Sequence, residues 1–476
     1  MLRLIHRLQS PIASLSVVCQ LALAVSGASV VVAQTPGTTS SKDSIPLSLD
    51  GAVRRAMQKN EDIVIARSQV RGAVAQRASA RSAFMPQITS QTSYTRTLRG
   101  PFDDVGSVGE TGGDVGPLLD DLLNRKNNYA NTIGASQLLF DRRALSNLRA
   151  AHEAEQVQEL QLTERELDVT LQIVQAYYGA VLADRVVEIS EAALEEANKQ
   201  LDHVQKTHKA GNASEMDVLN VEVQRDNLEP GRVDALNDRD QALRNLRRLI
   251  DLRDDQALQL TDALEPETFQ ALSAPVLDSL ARMYTRRASI AAADRNIRIQ
   301  KLRESGARGS RLPSIALGAS FAKSGTWANG TPDSEDLRDN WTLSIALQAP
   351  IFDGGMRKAD VASAHELAVQ SQLQLDQMKK AVALDVAQQR GELDRAAASV
   401  EARSHTAALA ERNYTLMTLA YDKGVVNTLQ LSDARLQLRQ ARVNEVQALH
   451  DYYVALARLR RAAGHTPYSI NCDRQQ

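Results

Sequence analysis

From Trp341 the chain alternates: Trp341, Leu343, Ile345, Leu347, Ala349 and Ile351 stand on one side of Thr342, Ser344, Ala346 and Gln348. Period two with apolar residues on one side predicts a strand with one greasy face, opened by Trp341. Ile315, Leu317, Ala319 and Phe321 repeat the pattern one strand earlier, and 88–95 and 129–140 are weaker counterparts upstream. Between the paired strands, 99–128 and 323–340 are rich in Gly and Asp, which predicts exposed hairpin loops, with Trp327 in the second. Elsewhere the period is helical. Leu49 to Ala83 places Ala52, Val53, Ala56, Ile63 and Val70 on helical spacing, and Val276 to Ala307 is its later counterpart. The runs 141–209 and 353–423 contain no proline, and at about 1.5 Å per residue each reaches about 100 Å. A helix that long cannot be buried in one globular core, so the pattern predicts extended helical hairpins packed as coiled coils. The return helices, 214–252 and 427–463, are shorter, which leaves the helices before the strands to cover the remaining span. Glu229-Pro230-Gly231 predicts a kink in the first of them.

The two hairpin tips carry the same local chemistry. Gly211 and Gly424 suit the left-handed position that ends a helix, while Ser214-x-x-Asp217 and Asn427-x-x-Gln430 have the form of capping boxes. The recurrence runs through the whole chain. Ala242-Leu243-Arg244-Asn245-Leu246-Arg247-Arg248 returns as Ala455-Leu456-Ala457-Arg458-Leu459-Arg460-Arg461, Gly211 as Gly424, Phe140-Asp141 as Phe352-Asp353, and Met85-Pro86-Gln87-Ile88 as Leu312-Pro313-Ser314-Ile315. Landmarks in one order at nearly constant offset predict an internal duplication. The expected organisation is a leader at 1–33, a first repeat at 34–250, a linker at 251–275, a second repeat at 276–464 and a tail at 465–476.

Charge and composition narrow the class. Lys plus Arg total 56 against 58 Asp plus Glu, which offers no broad cationic field for nucleic acid. Two cysteines, Cys19 and Cys472, are too few for a disulfide scaffold or a thiolate metal site. Arg3 and Arg7 precede an apolar stretch that ends at Val31-Val32-Ala33, the form of a cleavable export signal. Beyond it no apolar run approaches the roughly 20 residues of a membrane helix, so a membrane-crossing mature chain would cross as a barrel. Four strands cannot close one, and an open edge cannot face lipid. Two chains would give eight strands with a filled interior; three give twelve and a lumen.

This order of elements resembles the outer membrane efflux protein family, the TolC-like channels, over about residues 46–464. The resemblance is carried by Ser48-Leu49-Asp50-Gly51-Ala52, Leu312-Pro313, Ala349-Pro350-Ile351-Phe352-Asp353-Gly354-Gly355, Ala210-Gly211-Asn212-Ala213-Ser214-Glu215-Met216-Asp217-Val218 and Tyr421-Asp422-Lys423-Gly424. It implies a mostly α chain with a transmembrane β-barrel, four strands per chain, and a homotrimer sharing twelve. It also implies an α-helical tunnel that crosses the periplasm to a periplasmic adaptor protein and an inner-membrane transporter. In such channels an Asp on the first tip and a Tyr and an Arg on the second hold the closed end, with acidic rings inside. Asp217 and Tyr421 match the first two, Val426 replaces the Arg, Gln430 replaces the outer acid and Asp433 keeps the inner one.

Each site has a plainer reading. Asp433 suits a carboxylate ring favouring cations, or a solvated first-turn acid. Asp217 is explained by its capping box, and Tyr421 by packing at a helix end. Gly211, Ser214, Gly424 and Asn427 shape the tips, with an indirect part in adaptor docking. Trp341 suits the headgroup level of a membrane. His203 and His208 are five apart and share no helix face, so no metal site is expected. The glycines from Gly100 to Gly116 lack the Lys-Ser/Thr ending of a phosphate loop. No cofactor and no catalytic constellation is expected. The sequence therefore reads as an outer-membrane exit duct for efflux or type I secretion. The alternative, a periplasmic coiled-coil adaptor, would show one hairpin and a small β domain.

Overall fold

The computed structural model describes residues 45–99, 125–253, 258–264, 278, 282–327 and 337–468. The expected leader, the Gly100–Gly116 stretch, most of both hairpin loops and the end of the expected tail lie outside the described residues. In chain order the elements are β1 (Ile45–Leu47), α1 (Leu49–Lys59), α2 (Glu61–Ser82), β2 (Gln87–Arg96), β3 (Asn127–Phe140), α3 (Arg142–Lys209), α4 (Glu215–Asp226), α5 (Glu229–Leu249) and β4 (Leu258–Leu260). A 3-10 turn at Met283–Arg286 leads to α6 (Ala288–Gly309), β5 (Ser314–Trp327), β6 (Leu337–Gln348), α7 (Met356–Asp422) and α8 (Thr428–Ala462).

The four long strands form one antiparallel sheet in the order β2-β3-β5-β6, leaving β2 and β6 as edges. The first two strands are as regular as the later pair: all ten residues of β2 pair with β3. Two expectations need correction. Trp327 is the buried last residue of β5, its ring 6.1 Å from that of Tyr94, and not a loop residue. Trp341 lies four residues inside β6, which begins at Leu337 and ends at Gln348, short of Ile351. The parallel pair β1 and β4, three residues each, had no signal in the sequence.

Helix boundaries also shift for local reasons. The run from Leu49 is two helices, divided at Asn60, whose backbone is extended (φ −61°, ψ 130°). The buried Asn60 amide donates to the Leu249 carbonyl at 3.0 Å, and its oxygen accepts from the Asp62 N–H at 3.0 Å, so one side chain caps α2 and anchors it to α5. The later counterpart of that run is broken by the 3-10 turn at Met283–Arg286 and is continuously α-helical from Ala288 to Gly309. Pro230 does not interrupt a helix. It falls in the first turn of α5, where its missing N–H costs nothing, and the bend lies at Asn227-Leu228.

The long helices are organised by sevens. On α7 the buried positions are Ala368, Leu375 and Val382, then, after a step of four, Val386, Leu393, Val400 and Ala407. The first run packs on Ile290, Ala293 and Ile297 of α6, and the second faces α8. The step of four is where α7 changes partner. On α3, Ala150 and Val157 meet Ala292 and Ile299 of α6. Below them Ile173, Ala180 and Val187, then Ser190, Ala197 and Val204, repeat the same spacing toward α5, α4 and α8. Heptad seams of this kind are those of left-handed coiled coils.

Where the partners change, a polar network spans the chain. Arg287 is buried; its Nε lies 3.3 Å from Glu164, and its Nη1 lies 3.6 Å from Asp385 and 3.4 Å from the Ala462 carbonyl. Arg461 meets Asp168 at 2.6 Å and Glu164 at 3.4 Å, and Glu164 also accepts from the Ser289 N–H at 2.7 Å. Helices α3, α6, α7 and α8 are thereby tied at one level. Beside it Tyr177 donates to the Leu47 carbonyl at 2.9 Å and accepts from the Asp262 N–H at 3.2 Å; burial pushes its hydroxyl up to about 12. A two-stranded sheet and a long helix are joined through that one hydroxyl.

Candidate functional site

The first tip is built by the last turn of α3. Gly211 takes φ +78°, its N–H donating to the His208 carbonyl at 2.9 Å, while the Asn212 N–H reaches the Thr207 carbonyl at 3.0 Å. A side chain at that φ would be strained, which is why glycine stands there. Ser214 then caps α4: its Oγ accepts from the Asp217 N–H at 3.2 Å, and the Asp217 carboxylate accepts from the Ser214 N–H at 3.0 Å and hydroxyl at 2.6 Å. Those bonds hold the Asp217 carboxyl below its usual range, the Ser214 hydroxyl contributing most.

The second tip repeats the geometry with neutral atoms. Gly424 takes φ +71°, its N–H donating to the Tyr421 carbonyl at 2.9 Å. Asn427 accepts from the Gln430 N–H at 3.0 Å, and the Gln430 side chain accepts from the Asn427 N–H at 3.1 Å. Both capping boxes are therefore complete. Tyr421 and Val426 are half-buried, whereas Gln430 and Asp433 are exposed.

The tips are joined by α4 packing on α8, with Val221 on the former and Leu431, Ala434 and Leu438 on the latter buried in the chain. A hydrogen bond joins Ser432 to Gln224, and the Tyr414 hydroxyl donates to Glu196 at 3.2 Å. Among the described residues no hydrogen bond links Asp217 to Tyr421. Arg435 and Arg439 were not singled out by the sequence. Their side chains reach into this seam, where Arg435 Nε and Nη2 and Arg439 Nε are buried without a hydrogen-bond partner among the described residues. Their one visible signal was spacing, four apart and so on one face of α8. No group of His, Cys, Asp and Glu among the described residues is arranged to hold a metal ion.

At the other end, the sheet has two chemically distinct faces. On one, Trp341, Leu343, Ile345 and Leu347 pair across to Phe321, Ala319, Leu317 and Ile315, and these continue into Ile133, Ala135 and Ile88. Trp341 is 78% exposed and Ile345 72%. The opposite face carries Thr342, Ser344 and Ala346, then Ser320, Gly318 and Ala316, then Thr132, Gly134 and Ser136, all small and mostly polar. The apolar face runs to Trp341, its ring tilted 4.6 Å from that of Phe321, and is interrupted there by a Lys323–Asp339 pair at 3.7 Å and an Asn131–Thr92 hydrogen bond at 2.8 Å. No helix among the described residues is long and apolar enough to cross a membrane.

Comparison with known proteins agrees with this architecture. The family model described as outer membrane efflux protein matches residues 52–251 and 280–465. The alkaline protease secretion protein AprF of Pseudomonas aeruginosa is 26% identical over 347 residues, covering 71% of this chain and 69% of that protein. The outer membrane efflux protein BepC of Brucella suis is 25% identical over 419 residues, covering 87% and 85%. TolC of Escherichia coli is 23% identical, covering 69% and 68%. Among solved structures, CusC superposes with a TM-score of 0.72 at 16% identity over 90% of this chain and 96% of its own. The open-state MtrE channel of Neisseria gonorrhoeae gives 0.69 at 19% identity over 88% and 89%. The chain belongs to the outer membrane efflux protein family and has the TolC-like channel fold, placed in the outer membrane with a large periplasmic portion.

Proposed function

We propose that this protein is the exit duct of a tripartite efflux or type I secretion system: a homotrimer that passes cargo from an inner-membrane transporter, through a periplasmic adaptor, to the exterior. It performs no chemistry and draws its energy from the transporter. The carrying observation is the distribution of exposed apolar side chains on the helices. The 68-residue α3 has no large exposed hydrophobic residue, whereas α7 has Leu367, Leu373, Leu384, Leu409 and Leu416. Within the chain α3 has neighbours on both sides, and α7 is an edge. The opposite edge, made by α2, α4 and α5, exposes Val64, Ile65, Val74, Met216, Val223 and Val233. In a ring these two edges meet, just as β6 of one chain meets β2 of the next, antiparallel like every other pair in the sheet.

Three chains then share a twelve-stranded barrel, with the small polar face lining a lumen and the apolar face toward lipid. Within β6, from Trp341 to Gln348, seven steps of about 3.3 Å span about 23 Å of strand, or about 18 Å of height at a 40° tilt, most of the roughly 25 Å of an outer-membrane apolar band. Trp341 marks its outer headgroup level. The two repeats at 34–250 and 276–464, joined by 251–275, are read as an internal duplication, supported by matched tips and by a family model that aligns in two blocks.

At the periplasmic end, Asp217, Tyr421 and Val426 occupy the closing positions, with Gln430 and Asp433 just inside. Val426 offers no cation, so the closed end is held less tightly here. Gly211, Ser214, Gly424 and Asn427 present the tips to the adaptor. The deciding measurement is the mass of protein extracted from separated outer membranes, corrected for bound detergent. Three chains are expected; a soluble periplasmic monomer would overturn the duct and favour an adaptor.

A further inference from the structure

The chain as a whole has a net charge of −2, yet three of the four places where strands meet helices, 76–86, 141–150 and 303–313, each carry a net charge of +2, while 349–360 is balanced. Residues 76–86, 141–150, 303–313 and 349–360 together carry ten Lys and Arg against four Asp and Glu. Each junction contributes an exposed cation without an acidic partner among the described residues: Arg81 before β2, Arg143 after β3, Arg311 before β5 and Lys358 after β6. Many cations farther along the helices are paired, as in Arg185–Glu188 at 2.5 Å, Lys199–Glu195 at 2.8 Å and Arg298–Asp294 at 3.0 Å.

At two of the four the nearby acids are already engaged: Asp141 accepts from the Arg143 and Ala144 N–H groups at the start of α3, and Asp353 accepts from the Gly355 and Arg357 N–H groups and pairs with the Arg357 guanidinium at 3.1 Å. Helix N-termini favour anions and these carboxylates satisfy them, which leaves Arg143 and Lys358 without an acid of their own among the described residues.

The position of these residues identifies that anion. They lie three to seven residues beyond Ile88, Phe140 and Ile315, the last apolar positions of β2, β3 and β5, and beyond Phe352, which follows the end of β6. The layer just beyond a hydrocarbon core is the headgroup zone, about 5–8 Å deep, which long cationic side chains reach readily. We infer that Arg81, Arg143, Arg311 and Lys358 form a collar, one cation per strand and twelve per trimer, that binds the phosphates of anionic phospholipids in the periplasmic leaflet. Guanidinium groups suit phosphate oxygens, and ammonium adds a point charge. The inference rests on the barrel reading above.

The test uses the full-length trimer in nanodiscs of equal parts phosphatidylglycerol and phosphatidylcholine, with the lipid retained after mild detergent extraction quantified. The wild type is expected to retain phosphatidylglycerol over phosphatidylcholine about fivefold. The combined variant Arg81→Gln, Arg143→Gln, Arg311→Gln, Lys358→Gln is expected to lose that preference, as is the wild type at high salt, while Arg→Lys changes at the three arginines keep it. Should the glutamine variant not assemble, the salt series and the lysine variant still decide. Equal retention by a conducting wild-type trimer and its glutamine variant overturns the collar. So does a shifted reversal potential with unchanged lipid retention, which would put the cations in the lumen, or displacement of the lipid by millimolar inorganic phosphate, which would mark a small-anion site. A wild type that forms neither trimer nor current refutes the barrel reading instead.

Discussion

Ser214 and Asn427 perform one task with different atoms, and the difference is testable. At the first tip the acceptor that closes the box is the Asp217 carboxylate, at the second the neutral Gln430 amide. The folded-state value of Asp217 is depressed below the ordinary 3.8, so its stabilisation is present above that value and is lost as pH falls through the depressed one. Amide exchange, corrected for its intrinsic pH dependence, should therefore loosen at residues 214–218 below about pH 4 and stay level at 427–431. Ser214→Ala removes about 1 kcal/mol and should raise exchange at the Asp217 N–H about fivefold at neutral pH. Two neighbours test the aperture. Val426→Arg should lower single-channel conductance by supplying the missing cation, and an unchanged current would count against the tip assignment. Asp433→Asn should reduce cation preference in a planar bilayer; identical reversal potentials would remove Asp433 from the pore.

At the level of elements, legibility followed the contrast between faces. In β6 apolar Leu343, Ile345 and Leu347 alternate with Thr342, Ser344 and Ala346, so period two is plain. In β2 the outward positions are Ile88, Ser90, Thr92 and Tyr94 against Thr89, Gln91, Ser93 and Thr95, and little contrast remains, though the ladder is complete. Asn60 was illegible for another reason. One polar residue on a helical stripe looks ordinary until Leu249, 189 positions away, supplies its carbonyl. The tips were readable because glycine and capping chemistry act over four residues; the closing roles proposed for Asp217 and Tyr421 are not built within one chain, where no hydrogen bond among the described residues joins them. Seam positions give the element-scale prediction. Leu393, 1% exposed in the lower run of α7, should cost about 3 kcal/mol as Leu393→Ala, read from urea unfolding of the helical signal. A shift of less than about 0.5 kcal/mol would argue that α7 does not pack on that stripe.

For the whole molecule, the asymmetry between α3 and α7 supports the proposed assembly. Leu384 is 60% exposed on α7, two residues from the buried Val382 and Val386, and in the proposed ring it would meet a neighbouring chain. Leu384→Glu should leave the chain helical while shifting extracted protein from three chains toward one; an intact trimer would place Leu384 outside the contact. The family model and structural neighbours agree with the chain's fold, but trimer formation is decided by measurements of this kind.

The four-residue step between Val382 and Val386 has a consequence for how such a tunnel can change length. Because one stripe of α7 serves α6 and then α8, a single inserted residue would rotate everything beyond it by about 100° and withdraw the stripe from its partner. Additions of about seven or about eleven residues restore the facing to within about 20°, and each must be matched on α3, on the α4–α5 return and on α8 for the tips to stay level. The reach of the proposed duct therefore changes in coordinated steps of about 10 Å or more, so descendants of this chain would span a wider or narrower periplasm only by whole repeats gained or lost together.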